Sequence, residues 1–166
     1  MSSGEQLAQW CKDHDVVGFN GVHCSDGLPI IWRPRDVCYI INHSRCGFGN
    51  GTHWLACRQK GDSATWWDSY GVPPHAVVEQ EVMTPGMKPP EFIKWLQECG
   101  VDTDTKLKYS SEDIQSVAST VCGQYAVYFL KHGTPAANPK AWRWLSSSVL
   151  ENDKQIKALV RLQSNN

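Results

Sequence analysis

Three side chains in this sequence are of the types that hydrolyse an acyl bond through a thiol. They are the cysteine in Val121-Cys122-Gly123-Gln124-Tyr125, the histidine in Thr52-His53-Trp54 and the acid in Trp67-Asp68-Ser69-Tyr70-Gly71. A thiol becomes a strong nucleophile when a neighbouring base takes its proton. The base works best when a third group fixes its tautomer and steadies its charge. Cys122 falls at or near the first turn of a helix expected from about Cys122 to His132. Free backbone N–H groups and the helix dipole favour a thiolate there and can stabilise an oxyanion. Gln115, seven residues earlier, is a candidate side-chain donor to the same oxyanion. Gly123 carries no side chain to hold a substrate backbone away.

Each of these residues also has an ordinary reading. A cysteine at an apolar helix start is usually core, and a histidine on a strand is usually packed or exposed. Asp68 can simply begin a turn, and Gln115 can be solvated. What separates the readings is whether the elements bring the residues together. Val37 to Ile41 reads as a buried strand, followed by a glycine-rich loop from His43 to Thr52. His53 to Gln59 and Ser63 to Tyr70, around Lys60-Gly61-Asp62, read as a hairpin. If Lys60-Gly61 form its turn, His53 lies opposite Asp68. If Gly61-Asp62 form it, the two are diagonal neighbours on one face. Only an odd-numbered loop separates them.

The remaining elements complete the frame. Ser3 can cap a helix to about His14 with Leu7, Trp10 and Cys11 on one side. Gly18 to Leu28 reads as irregular. Pro90 opens a helix carrying Phe92, Trp95, Leu96 and Cys99, and Gly100 stops it. Thr105 to Tyr109 reads as a strand. Ser119 or Thr120 can cap the Cys122 helix, which Gly133 ends. Two short helices are expected near Pro139 to Val149 and Lys154 to Leu162. This order predicts an α+β fold with a mixed, mostly antiparallel sheet flanked by helices. The 166 residues suit a single domain over 1–166, with 41% hydrophobic and 20% charged residues as in ordinary globular chains.

Composition narrows the function classes. A net charge of -1 with scattered Lys and Arg gives no basic footprint for nucleic acid beyond Lys140 to Arg143 and Lys154 to Arg161. No apolar run is long enough to span a membrane, and the first residues lack the pattern of a signal peptide, so the expectation is a chain that is not secreted. The seven cysteines are accordingly expected as free thiols. With no C-x-x-C pair, they do not form a zinc framework, and no metal site is expected. The eight tryptophans read either as core or as the wall of a cleft for an extended peptide.

The sequence resembles adenain-type cysteine proteases, the maturation proteases of adenoviruses, and the wider superfamily of SUMO and ubiquitin-like proteases. The resemblance rests on Gly49-Asn50-Gly51-Thr52-His53-Trp54, Asp68-Ser69-Tyr70-Gly71, Gln115-Ser116-Val117 and Cys122-Gly123-Gln124-Tyr125, with Phe129-Leu130 beyond. It covers about residues 1 to 135. It implies an adenain-like fold, with Cys122 as nucleophile, His53 as base, Asp68 as orienting acid and Gln115 in the oxyanion hole. Gly51, Trp54 and Gly123 would contact substrate. The implied activity is cleavage of viral precursor proteins at glycine-containing sites by a monomeric enzyme, in the virion or in the host nucleus or cytoplasm. A narrow tunnel of the glycine loop with Trp54, Trp66 and Trp67 would explain the glycine preference.

The sequence itself requires no cofactor, whereas the resemblance implies an activating disulfide-linked peptide and DNA. Asp104 stands where the family has the cysteine for that peptide, and Asp68 stands where adenain has Glu and the SUMO proteases Asp. Two other readings compete: an isopeptidase acting on ubiquitin-like modifiers, and a binding module with a silent site.

Overall fold

In the computed structural model, residues 2–44, 46, 53–75, 91–116 and 119–163 are described. Their elements run α1 (Gly4–Asp13), β1 (Phe19–Cys24), β2 (Val37–Asn42), β3 (Trp54–Lys60), β4 (Ser63–Trp67), α2 (Phe92–Glu98), β5 (Leu107–Tyr109), α3 (Cys122–His132) and α4 (Val149–Leu159). The fold is α+β. The five strands form one mixed sheet in sequence order. The long central pairings, β2 with β3 and β3 with β4, are antiparallel. The edge pairings, β1 with β2 and β4 with β5, are parallel.

The hairpin resolves the register left open by the sequence. Lys60 pairs with Ser63, so Gly61-Asp62 is the loop. Gly61 takes φ +57, a region that side chains resist and that two-residue hairpin loops require. Ala56 pairs with Trp67, which leaves Asp68 diagonal to His53 just beyond the strand ends.

Each face of the sheet buries its own apolar set. On one side Leu7, Trp10, Ala56, Trp67, Tyr125, Phe129 and Ile156 join α1, α3 and α4 to the sheet. On the other, Tyr39, Ile41, Leu55, Trp66, Phe92, Trp95 and Leu96 pack α2 against it. Trp66 and Trp67 therefore lie on opposite faces, as strand alternation demands. Trp67 stacks on Phe129 at 5.2 Å, and Trp66 meets Phe92 at 4.7 Å. α3 is the central helix, with eight of its residues buried. A fully buried Trp, Phe or Leu contributes on the order of 2 kcal/mol or more, so α3 is held mainly by packing. Arg58 of β3 ties its far end, donating to the Leu130 carbonyl at 2.9 Å and pairing with Asp36 at 2.6 Å.

Several expectations need correction. Gly18 to Leu28 is not all irregular: it contains β1, with a register break between Phe19 and Val22. Gly18 and Gly21 at positive φ break the alternation that would have announced a strand. Residues 139–148 form turns and irregular backbone, not a helix, and α4 starts at Val149, earlier than expected, because Ser148 accepts from the Glu151 N–H at 3.3 Å. The cysteines are not all free. Cys24, at the end of β1, and Cys46, in the segment after β2, form a disulfide, because the parallel pairing of β1 with β2 brings those ends together. Cys11, Cys38, Cys57, Cys99 and Cys122 remain as thiols. Pro90 lies outside the described residues. No described helix is long and apolar enough to cross a membrane.

Candidate active site

The site forms where β3 begins, β4 ends and α3 begins. His53 immediately precedes β3, and its backbone carbonyl accepts from His43 N–H at 2.9 Å, continuing the β2–β3 ladder. Asp68 follows β4 at the start of a turn closed by Gly71 N–H to the Asp68 carbonyl at 2.9 Å. Gly71 takes φ +74, and a Cβ there would meet the backbone of Ser111 and Glu112 at 2.8 and 2.7 Å. Only glycine lets this turn lie against the segment that leads to Gln115.

Within this frame His53 Nε2 lies 2.7 Å from Asp68 Oδ1, with both side chains buried. The same oxygen accepts the Tyr70 N–H at 2.9 Å, which fixes the carboxylate plane. Tyr70 stacks on the imidazole at 4.8 Å and 27°. Cys122 is close enough to the His53 ring to favour its charged form. Because Nε2 faces Asp68, Nδ1 is the nitrogen left for the thiol. Cys122 Sγ also accepts the Trp54 N–H at 3.4 Å. The structure therefore brings Cys122, His53 and Asp68 together.

Electrostatics sharpen the arrangement. Burial opposes a charge on His53, but hydrogen bonds and charge from Asp68 and Cys122 outweigh it and raise its pKa to about 9. The ring therefore holds a proton well above the ordinary histidine range. His43 behaves in the opposite way: burial, and then the neighbouring His53 charge, lower it to about 4, so it stays neutral. Its ring meets His53 edge-on at 6.3 Å. Burial pushes the Cys11 thiol up to about 12 and Cys38 up to about 11, so both remain protonated and inert at neutral pH.

Gln115 is buried and sits between the two halves of the site. Its Oε1 accepts from the Ser69 hydroxyl, next to Asp68. Its Nε2 donates to Ser119 Oγ at 2.9 Å and approaches the Ser119 carbonyl at 3.3 Å, three residues before Cys122. Ser119 thus serves Gln115 and does not cap the helix, nor does Thr120. The N-cap of α3 is Val121, whose side chain makes no capping bond.

Three expected substrate contacts fare differently. Gly51 lies outside the described residues. Trp54 is buried, with its indole N–H donated to the Ser2 carbonyl at 3.0 Å, so its ring is core and not cleft wall. Gly123 is also buried: a Cβ on it would meet Leu7 at 2.9 and 3.1 Å and Trp54 at 3.2 Å. Its missing side chain admits α1. Trp54, Trp66 and Trp67 all lie in the core, so the three do not line a tunnel.

From the sequence, His43, Ser69 and Tyr70 take no role of their own in the site, and Ser119 only that of a helix cap. The pairing of Asn42 with Trp54 places His43 opposite His53, a signal available only once the register is known. Among the described residues one cluster has metal-ligating types, Cys24, Asp26 and Cys46, and its two sulfurs are bonded to each other.

No protein-family model matches the chain, and no curated protein sequence matches it. Among solved structures it is similar to the ASFV pS273R protease, with 15% sequence identity and a TM-score of 0.47. The alignment covers 96% of this chain and 66% of that one, so this chain spans just under two thirds of that protein's length.

Proposed function

We propose that this chain is a cysteine endopeptidase. The observation that carries the reading is His53 held by Asp68 at 2.7 Å through Nε2, with Cys122, at the first turn of α3, placing its Sγ 3.4 Å from the N–H of the next residue, Trp54. His53 takes the thiol proton, and the sulfur attacks a peptide carbonyl carbon. The resulting oxyanion meets first-turn N–H groups of α3, which an α-helix leaves without intrahelical partners. Gln115 supplies a further donor. Its two amide protons rest on Ser119, and a substrate oxyanion competes for one of them. The imidazolium then protonates the leaving amine, and water, deprotonated by His53, releases the acyl group from sulfur.

The substrates under this reading are precursor polypeptides, viral ones on the resemblance of Cys122-Gly123-Gln124-Tyr125 and Thr52-His53-Trp54 to the adenain type. The same resemblance supports cuts at glycine-containing sites. The buried tryptophans remove the tunnel as its explanation and leave the preference to groups around His53. The test is turnover of a fluorogenic peptide ending in Leu-Arg-Gly-Gly by the wild-type chain and by Cys122→Ala, run beside a linear precursor-type peptide and a ubiquitin-like conjugate. Cleavage of the peptides by wild type alone is expected. Turnover that survives Cys122→Ala overturns the assignment, and preference for the conjugate makes the enzyme an isopeptidase. If the wild type is silent and a glycine-ended electrophile fails to label Cys122, the site is a binding module.

A further inference from the structure

α4 contributes nothing to the triad, yet it buries an acid. Asp153 is 7% exposed, and the mechanism above does not use it. A carboxylate is costly to bury unless donors surround it. Here there are two, from two different parts of the site. Tyr125, one turn along α3 from Cys122, donates its hydroxyl to Asp153 Oδ1 at 2.9 Å. The Ser116 backbone N–H donates to Asp153 Oδ2 at 3.2 Å. Burial, and then Asp153 itself, push the Tyr125 phenol up, so it stays a donor.

The neighbouring residue grips the other flank of Gln115. Asn152 donates through Nδ2 to the Ile114 carbonyl at 3.3 Å, while its Oδ1 is held by the Ser146 N–H at 2.8 Å. Ile114 also donates its N–H to the Ser69 carbonyl at 2.9 Å. Gln115 is therefore fixed on both sides by α4 and tied through Tyr125 to the helix that carries the thiol.

We propose that Asp153 is a positioning residue that sets Gln115 relative to Cys122 by holding Ser116 and Tyr125 at once. The inference rests on the peptidase reading for its kinetic consequence, but its structural content stands apart from it. Asparagine has the right volume but only weakens the hold. It loses the charge that strengthens both bonds, and with its oxygen on the Ser116 N–H its NH2 faces Tyr125, whose hydroxyl must then accept and pass its own proton to the Ile114 carbonyl at 3.3 Å.

The experiment compares wild type, Asp153→Asn and Tyr125→Phe with three readouts. Hydrolysis of the fluorogenic peptide reports acyl transfer. The rate of Cys122 alkylation by iodoacetamide reports the thiolate without any oxyanion. Hydrogen exchange of the Gln115 side-chain amide, by NMR, reports its fixation directly. For Asp153→Asn, kcat is expected to fall roughly 10–100-fold, the scale of a misplaced or missing oxyanion donor. KM and the alkylation rate stay within about twofold, and Gln115 exchange accelerates about 10-fold or more, by the proposal's own logic of a released amide. Tyr125→Phe, which removes only one hydroxyl, shows the same pattern with a smaller loss and serves if the asparagine variant does not fold.

Unchanged Gln115 exchange overturns the proposal, whatever the kinetics. So does a parallel fall in alkylation and turnover, which would place Asp153 in the general stability of the site. A wild type that alkylates normally, holds the Gln115 amide and yet cleaves no peptide refutes the peptidase reading instead.

Discussion

Two of the helices on the same side of the sheet start in a different way from the third. At α1, Ser3 Oγ accepts the Gln6 N–H at 3.1 Å and Gln6 returns the bond to the Ser3 N–H at 2.9 Å, a complete capping box. At α4, Ser148 caps through the Glu151 N–H. At α3 the cap position holds Val121, and two nearby hydroxyl residues, Ser119 and Thr120, are passed over. A side-chain cap is worth about 1 kcal/mol. α3 does without one and is held by core packing. Its first-turn N–H groups are thereby left to whatever approaches Cys122. The two kinds of helix start differ in whether a side chain already occupies their first donors.

The sharpest way to break this comparison is at the thiol. Cys122→Ala is expected to lower peptide hydrolysis by at least roughly 10⁴-fold. Its thermal melting should be almost unchanged, because a small side chain replaces a small one. Turnover with a thermostable Cys122→Ala protein would make the uncapped start irrelevant to catalysis.

Asp68→Asn comes next, with a fall of roughly 10²–10⁴ in kcat/KM. The pH profile separates its role from packing. His53 is raised to about 9 by Asp68 and Cys122 against the opposition of burial. The stability linked to its proton is thus fully present below about 6.5 and is lost as pH rises through about 9. Melting scans from pH 6 to 10 should show that loss in wild type and a smaller, more acidic one in Asp68→Asn. Identical curves would mean that Asp68 does not hold the imidazolium.

Gly123→Ala tests whether that glycine serves the fold. The new methyl group runs into Leu7 and Trp54, and a loss of about 1–3 kcal/mol is expected in denaturant unfolding. The loss should shrink in a Leu7→Ala background, since the two sites touch. Strict additivity would point away from the clash. The smallest effects belong to the caps: Ser3→Ala and Ser148→Ala should each cost about 1 kcal/mol and leave kcat/KM within about twofold. Either one slowing catalysis tenfold would erase the distinction between the helix starts.

The sequence carried the parts of this site whose signals are local. The hairpin around Lys60-Gly61-Asp62, the helix from Cys122 to His132 and the placing of His53 and Asp68 on one face follow from alternation, helical spacing and one turn, while the choice of Gly61-Asp62 as the loop needed the structure. β1 escaped notice because its half-exposed residues, with Gly18 before it and Gly21 within it at positive φ, mimic a loop. The tryptophans read as either wall or core, and only the packing of α1, α2 and α3 against the sheet decides for core. Ser119 has the right residue type for a cap, but a buried partner, Gln115, competes for it. The contribution of α4 was illegible for a plain reason. Nothing local links Asp153 to Ser116 across 37 positions of sequence.

The Cys24–Cys46 bridge has a practical edge. It closes a loop across 22 positions, a constraint worth on the order of 3 kcal/mol by loop-closure reckoning, and it ties the end of β1 to Cys46 beyond β2. The protein thus contains two sulfur centres with opposite needs: under the proposed peptidase reading Cys122 works only when reduced, and the bridge exists only when oxidised. Thiol–disulfide exchange acts on both through the same solution. A strong dithiol added to keep Cys122 reduced will, at high enough concentration, also open the Cys24–Cys46 bridge. Rates measured in such a buffer describe a different molecule from rates measured with a mild monothiol.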